Sequence, residues 1–224
     1  DHIRRKTLDL RETWCVTLDE ADRMLDIGFR PDIEKILSSV SRKDRQTLLL
    51  SATVPPAIER LAKRYMHEPT ILDFSKDAVS GDSIEQFYFS VDKVKKFELL
   101  ERLINREKPA QAIIFCRTKR GTDKLAKRLK DLFDHVGCIH GDMNQPARDR
   151  VMKKFRDERL KILVATDVVG RGIDVTSISH IINFDTPEDC DDYVHRIGRT
   201  GRMGKEGVAY TFVLEDDGEL LTRI

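Results

Sequence analysis

No Cys-x-x-Cys pair occurs in this chain, and its four cysteines (Cys15, Cys116, Cys138, Cys190) are scattered. That spacing argues against two disulfides or a zinc site and for buried free thiols in a reducing cytosol, so the expected location is cytoplasmic. No apolar run is long enough to span a bilayer, and no signal-peptide pattern is present. An excess of one charge is missing too: 40 Lys and Arg against 39 Asp and Glu leave a net charge of +1. A global basic field is thereby excluded, and any nucleic-acid contact has to rest on local patches. What is present, 40% hydrophobic and 35% charged residues over 224 positions, reads as globular and as one large or two modest domains. The first residue is Asp1, and the chain is expected to be a piece of a longer protein.

Short apolar runs alternate with amphipathic ones. Trp14–Leu18, Thr47–Leu50 and Thr70–Phe74 read as strands, as do Ile84–Val91, Ala112–Cys116, Val136–Ile139, Ile162–Ala165, Ile181–Phe184 and Val208–Val213. Between them lie helical patterns. Residues 30–40 place Ile33, Ile36, Leu37 and Val40 on one face, and Pro55-Pro56 opens a helix with Ile58, Leu61, Ala62 and Tyr65 inward. Lys93–Arg106 turns Val94, Phe97, Leu100 and Ile104 inward. Thr118 caps a helix burying Leu125, Leu129 and Leu132, and Asn144 caps one carrying Val151, Met152 and Phe155. Residues 2–8 resemble the tail of a basic helix. The polar stretch 75–83, with Gly81, reads as a linker between residues 1–74 and 84–224. The alternation implies an α/β fold of parallel sheets covered on both faces, with ligands beyond the carboxyl ends of strands.

Polar residues gather at those ends. Asp19-Glu20-Ala21-Asp22 follows the first strand, Ser51-Ala52-Thr53 the second, and Thr166-Asp167 a later one. An acid there can hold magnesium while its neighbour orients and deprotonates an attacking water; the plain alternative is an acidic strand-to-helix turn. Near the end, Tyr193-Val194-His195-Arg196-Ile197-Gly198-Arg199-Thr200-Gly201-Arg202 repeats arginine every third residue. If helical at first, it sets His195 and Arg199 on one face, with Gly201 ending the helix and Arg202 on the bend. Guanidinium forks match phosphate oxygens; a solvated basic face is the alternative.

These strings, together with Ile113-Ile114-Phe115-Cys116-Arg117-Thr118 and Ala165-Thr166-Asp167-Val168 followed by Arg171-Gly172-Ile173-Asp174, resemble the ordered motif series of DEAD-box RNA helicases. The resemblance implies two RecA-like domains of the P-loop NTPase type, the first incomplete, with ATP, Mg2+ and RNA as ligands. It implies that Asp19 serves the metal and Glu20 the water, and that Asp22, Ser51 and Thr53 couple the nucleotide site to RNA. Asp174 would bond the ATP ribose, with Gly172 beside it. Arg199 and Arg202 would act as arginine fingers and His195 would couple the domains. Thr118, Gly141, Gln145, Arg148, Thr166 and Arg171 resemble positions near the RNA backbone, where contacts carry no sequence information. Along the basic run from Arg117 to Lys130, residues beyond Arg120 are assigned to a solvated outer face. No aromatic stacking platform is evident, which suits backbone binding.

The family's P-loop, G-x-x-x-x-G-K-[ST], is missing; Gly201-Arg202-Met203-Gly204-Lys205-Glu206 has the wrong spacing and Glu in place of the hydroxyl residue. That loop, the adenine-reading motif and the early RNA motifs are expected ahead of Asp1, and the last helix is expected to be cut at Ile224. The resemblance therefore implies an RNA-stimulated ATPase and helicase as the parent, with residues 1–224 inactive alone. The alternative for the chain as given is a non-catalytic module binding RNA or a protein partner. A DNA translocase or DEAH-type helicase fits less well, since those proteins carry His where Asp22 stands and Gln where His195 stands.

Overall fold

In the computed structural model the described residues are 1–26, 28–40, 45–73, 84–167, 173, 175–202 and 204–218. The chain divides into two compact units, Asp1–Ala78 and Val79–Ile224.

In the first unit β1 (Cys15–Leu18) and β2 (Gln46–Leu49) pair in parallel, Cys15 opposite Gln46 and Leu18 opposite Leu49. The strand period of two decides what each face meets. Leu18 and Leu49 pack with Ile33 and Leu37 of α2 (Arg30–Ser39) and Ile58 and Leu61 of α3 (Pro56–Tyr65), beside Ala21 of the short α1 (Ala21–Asp26). Leu48 and Leu50 point the other way and stay exposed. A parallel sheet ordinarily has both faces covered, so this two-stranded sheet is an incomplete layer. Arg45 ties the helix ends together, donating to the Leu37, Val40 and Tyr65 carbonyls.

The second unit holds a six-stranded, all-parallel sheet. Its strands are β3 (Ile84–Ser90), β4 (Ala112–Phe115), β5 (Val136–Ile139), β6 (Ile162–Ala165), β7 (His180–Asn183) and β8 (Gly207–Val213), in the spatial order β3-β8-β7-β4-β6-β5. β4 and β6 are buried at every position, as continuous apolar runs in a parallel sheet should be. Ile114, Val164 and Phe212 face α4 (Lys96–Glu107) and α5 (Lys119–Lys130) through Leu100, Leu103, Leu125 and Leu129. Ile113, Phe115 and Leu163 face α6 (Gln145–Arg156) and α7 (Cys190–Ile197) through Phe155, Tyr193 and Ile197. Thr118 accepts a hydrogen bond from the Gly121 amide at 3.0 Å, and Asn144 accepts from Ala147 at 2.9 Å, so both expected N-caps are formed. A final 3-10 turn covers Glu215–Asp217.

Some expectations fail for local reasons. Residues 70–73 form no strand: Ile71 and Leu72 are exposed and pair with no strand among the described residues, and a strand without a ladder partner has no hydrogen bonds to hold it. Residues 2–8 make turns with Lys6 in a left-handed conformation, because a stretch of about two turns is too short to hold a helix by itself. Val94 precedes α4 and is exposed, and Leu132 follows α5 and is exposed; the helical period extends past the real helix ends at both places. The linker expected at 75–83 lies outside the described residues.

Candidate nucleotide and RNA site

In the first unit the acids sit where β1 ends. Glu20 adopts φ 50°, a left-handed conformation rarely held by a residue with a side chain. Its amide donates to Asp19 Oδ1 at 2.9 Å. Two residues on, Asp22 is buried, and its Oδ2 accepts from both the Thr53 amide (2.8 Å) and the Thr53 hydroxyl (2.9 Å). The Asp22 amide in turn donates to Ser51 Oγ at 3.2 Å. Backbone bonds from Leu50 to Leu18 and from Ala21 to Leu50 carry the ladder up to this junction. The two motifs, 29 to 31 residues apart, are thus one hydrogen-bonded unit beyond a pair of parallel strands. Asp19 remains exposed at the strand end, a hard oxygen donor free of burial cost.

In the second unit α7 carries the arginine series. The helix stops earlier than expected: Ile197 is its last residue, Gly198 caps it, and Gly201 takes φ 68° in the turn that follows. Arg199 Nε donates to the His195 carbonyl at 3.1 Å and Arg202 Nε to the Gly198 carbonyl at 2.8 Å. Both guanidinium groups therefore sit over the carboxyl end of the helix, where its dipole favours cations. Arg199 is buried and Arg202 is half-buried. His195 Nδ1 is buried with no hydrogen-bond partner among the described residues.

Arg196, expected from its spacing to face phosphate with the other two arginines, is instead bound within the protein. Arg196 is 2% exposed. Its Nε and Nη2 grip both oxygens of Asp167 at 2.6 and 2.8 Å, while Nη1 reaches Asn183 Oδ1 (3.2 Å) and the Asp185 carbonyl (2.7 Å). The plane lies over Phe115, 5.1 Å from the ring centre. It closes the carboxyl ends of β4, β6 and β7. Its signal was available: Asp167 follows a buried strand, so its charge needs a partner. Sequence spacing did not say which of three arginines that partner is.

Thr118, Gly141 and Thr166 follow β4, β5 and β6, three adjacent strands, and so line one edge of the sheet. Gln145 opens α6 and bonds Asp149 at 2.8 Å. Arg148 lies one turn further, its Nε buried without a partner among the described residues. Arg171, Gly172 and Asp174 lie outside the described residues.

Comparison with known proteins identifies the family. Residues 1–61 match the model of the DEAD/DEAH box helicase family and residues 95–204 that of the helicase conserved C-terminal domain. The chain belongs to the DEAD-box RNA helicase family. It is 49% identical over 213 residues to the DEAD-box ATP-dependent RNA helicase CshA of Geobacillus kaustophilus, covering 95% of this chain and 45% of that protein. A structure of Saccharomyces cerevisiae Dbp5 bound to RNA and ADP-BeF3 matches the whole chain at 34% identity with a TM-score of 0.89, over 59% of Dbp5. Escherichia coli SrmB, bound to regulator of ribonuclease activity A, matches over 62% of this chain and 81% of its own at 36% identity, TM-score 0.57. The chain spans a little under half the length of the CshA proteins it matches.

Proposed function

We propose that this DEAD-box chain belongs to an ATP-dependent RNA helicase whose ATP hydrolysis is stimulated by RNA and opens short duplexes. The observation that carries this reading is the Asp22–Thr53–Ser51 junction, which welds the acidic turn holding Glu20 to the Ser-Ala-Thr turn. A change at one turn is felt at the other, which is what coupling hydrolysis to RNA requires. Asp19 would hold magnesium; the bound ion supplies charge neutralisation on the phosphates. Glu20 orients and deprotonates water. Arg199 and Arg202 counter the charge that develops in the transition state, so they accelerate hydrolysis more than they tighten binding. Asp174 and Gly172 are proposed to hold the ribose. His195, with a buried nitrogen lacking a partner among the described residues, is the proposed coupling residue between domains.

Thr118, Gly141, Gln145, Arg148, Thr166 and Arg171 are the proposed backbone contacts, indifferent to base sequence. The orphaned Arg148 Nε supports a phosphate there. Residues 75–83 are the proposed linker between the two RecA-like parts, protein partners would dock on the C-terminal part, and the free cysteines suit the cytoplasm. Since residues 1–224 contain no P-loop, this chain alone is expected to turn over no ATP. In the parent, Glu20→Gln should bind ATP and RNA without turnover, and Arg199→Ala should cut kcat about 10³-fold or more while ATP affinity changes little. Unchanged turnover in either variant removes that residue's role; RNA-stimulated hydrolysis by residues 1–224 removes the requirement for the P-loop.

A further inference from the structure

Asp123, Cys138 and His140 converge at the edge of the second sheet, a grouping that the helicase reading does not use. Cys138 lies on β5 and His140 just beyond it, two residues apart, so both side chains leave the strand on one face. Asp123 projects from the packed helix α5. Its Oδ1 is 3.0 Å from His140 Nε2 and 3.7 Å from Cys138 Sγ, and all three donor atoms lie within 4.8 Å of one another. Among the described residues no other group of His, Cys and acidic side chains comes this close.

Those spacings can be set against a metal's demands. Bond lengths of about 2.0 Å to oxygen and nitrogen and 2.3 Å to sulfur, at tetrahedral angles, put oxygen about 3.3 Å from nitrogen and about 3.5 Å from sulfur. The observed 3.0 and 3.7 Å need shifts of only a few tenths of an ångström, and the sulfur and imidazole nitrogen, which lie within 4.8 Å of each other, have to close toward about 3.5 Å as the ion binds. We infer that Asp123, Cys138 and His140 form a three-ligand site for a soft divalent cation of the zinc class, with water in the fourth position.

Thiolate and imidazole select zinc over magnesium, so the ion that serves phosphates does not compete here. His140 is 7% exposed and held in place, while Asp123 is solvent-exposed and gives the ion an entry path. His140 Nδ1 has no acceptor among the described residues. Metal-bound histidines usually have one, and its lack weakens the ligand. The site is accordingly exchangeable rather than one on which folding depends. Cysteine spacing gave no sign of it because only one ligand is a cysteine and the third comes from another element.

The test is titration of the tag-free 224-residue chain with Co2+, a spectroscopic stand-in for zinc. One equivalent should produce a thiolate-to-cobalt charge-transfer band that Zn2+ then bleaches. Cys138→Ser should abolish the band, and Asp123→Asn should weaken binding at least about tenfold, the loss seen even for outer-shell changes. Cys190→Ser should leave it intact. In parallel, Zn2+ should slow alkylation of Cys138, read by peptide mass spectrometry, in a chain whose circular dichroism is unchanged. No thiolate band, a band surviving in Cys138→Ser, or alkylation of Cys138 indifferent to zinc would each overturn the site.

Discussion

Asp167→Asn isolates what the buried arginine does. The substitution keeps the shape but removes the negative charge that faces Arg196 across two short contacts, 2.6 and 2.8 Å. Arg196 is 2% exposed and cannot swing to water, so it is left as a buried cation with only neutral acceptors. Breaking a buried pair from one side costs about 3–5 kcal/mol. Two features place this case at the lower bound. The Asp167 side chain is itself 18% exposed, and the Asn183 oxygen, the Asp185 carbonyl and the Phe115 ring still face the guanidinium. The expected loss is about 3 kcal/mol, which is about a hundredfold in the opening equilibrium. Amide hydrogen exchange reads it directly, because β4 and β6 amides exchange only through large openings. Those amides should exchange about a hundredfold faster in Asp167→Asn, and much less so in Asp167→Leu/Arg196→Met, where the charge and its partner leave together. A change under about fivefold, or strict additivity of the two single substitutions, would refute a buried ion pair as the clasp of these strand ends.

Three further outcomes are expected. Asp22→Asn exchanges charge-assisted bonds to Thr53 for neutral ones and should cost about 1 kcal/mol at the Leu50 and Ala21 amides, whereas Asp22→Leu, which strips the acceptor, should cost about 3 kcal/mol; exchange rates at those amides check both. Asn144→Ala removes the α6 cap and should cost about 1 kcal/mol, with Asn144→Ser restoring most of it; thermal or denaturant unfolding checks both. Burial against Tyr210 pushes the His180 imidazole below its ordinary pKa, with Glu107 opposing in part. The unfolded chain then binds the proton more readily, so the stability His180 contributes is present above the ordinary histidine pKa and declines as pH falls through the lowered one. Denaturation between pH 7 and 5 should show a shallower decline in His180→Gln.

Much of this protein is written locally. The runs that became β4 and β6 are apolar at every position because both faces of a parallel strand are covered, and no other element of that length reads so. Thr118 and Asn144 announced their helices because a cap is a contact within one turn. The ordered motifs were sufficient for the family. Ile71 and Leu72 misled for the converse reason: a strand is a property of two segments, and one segment cannot report that its partner is missing.

Whatever depends on a neighbour across a strand boundary needed the folded chain. The three arginines of the 196–202 series are chemically equal in the sequence, yet one is sealed against Asp167 and the other two sit over the end of α7. Asp22 reaches Thr53 because parallel strands bring their carboxyl ends together whatever the length of chain between them, and Asp123 reaches Cys138 and His140 because α5 packs on β5. Side-chain type and periodicity determine which segments form and which are buried. The packing of helices on ordered strands decides which carboxylate meets which cation, since that pairing is a distance in space and not along the chain.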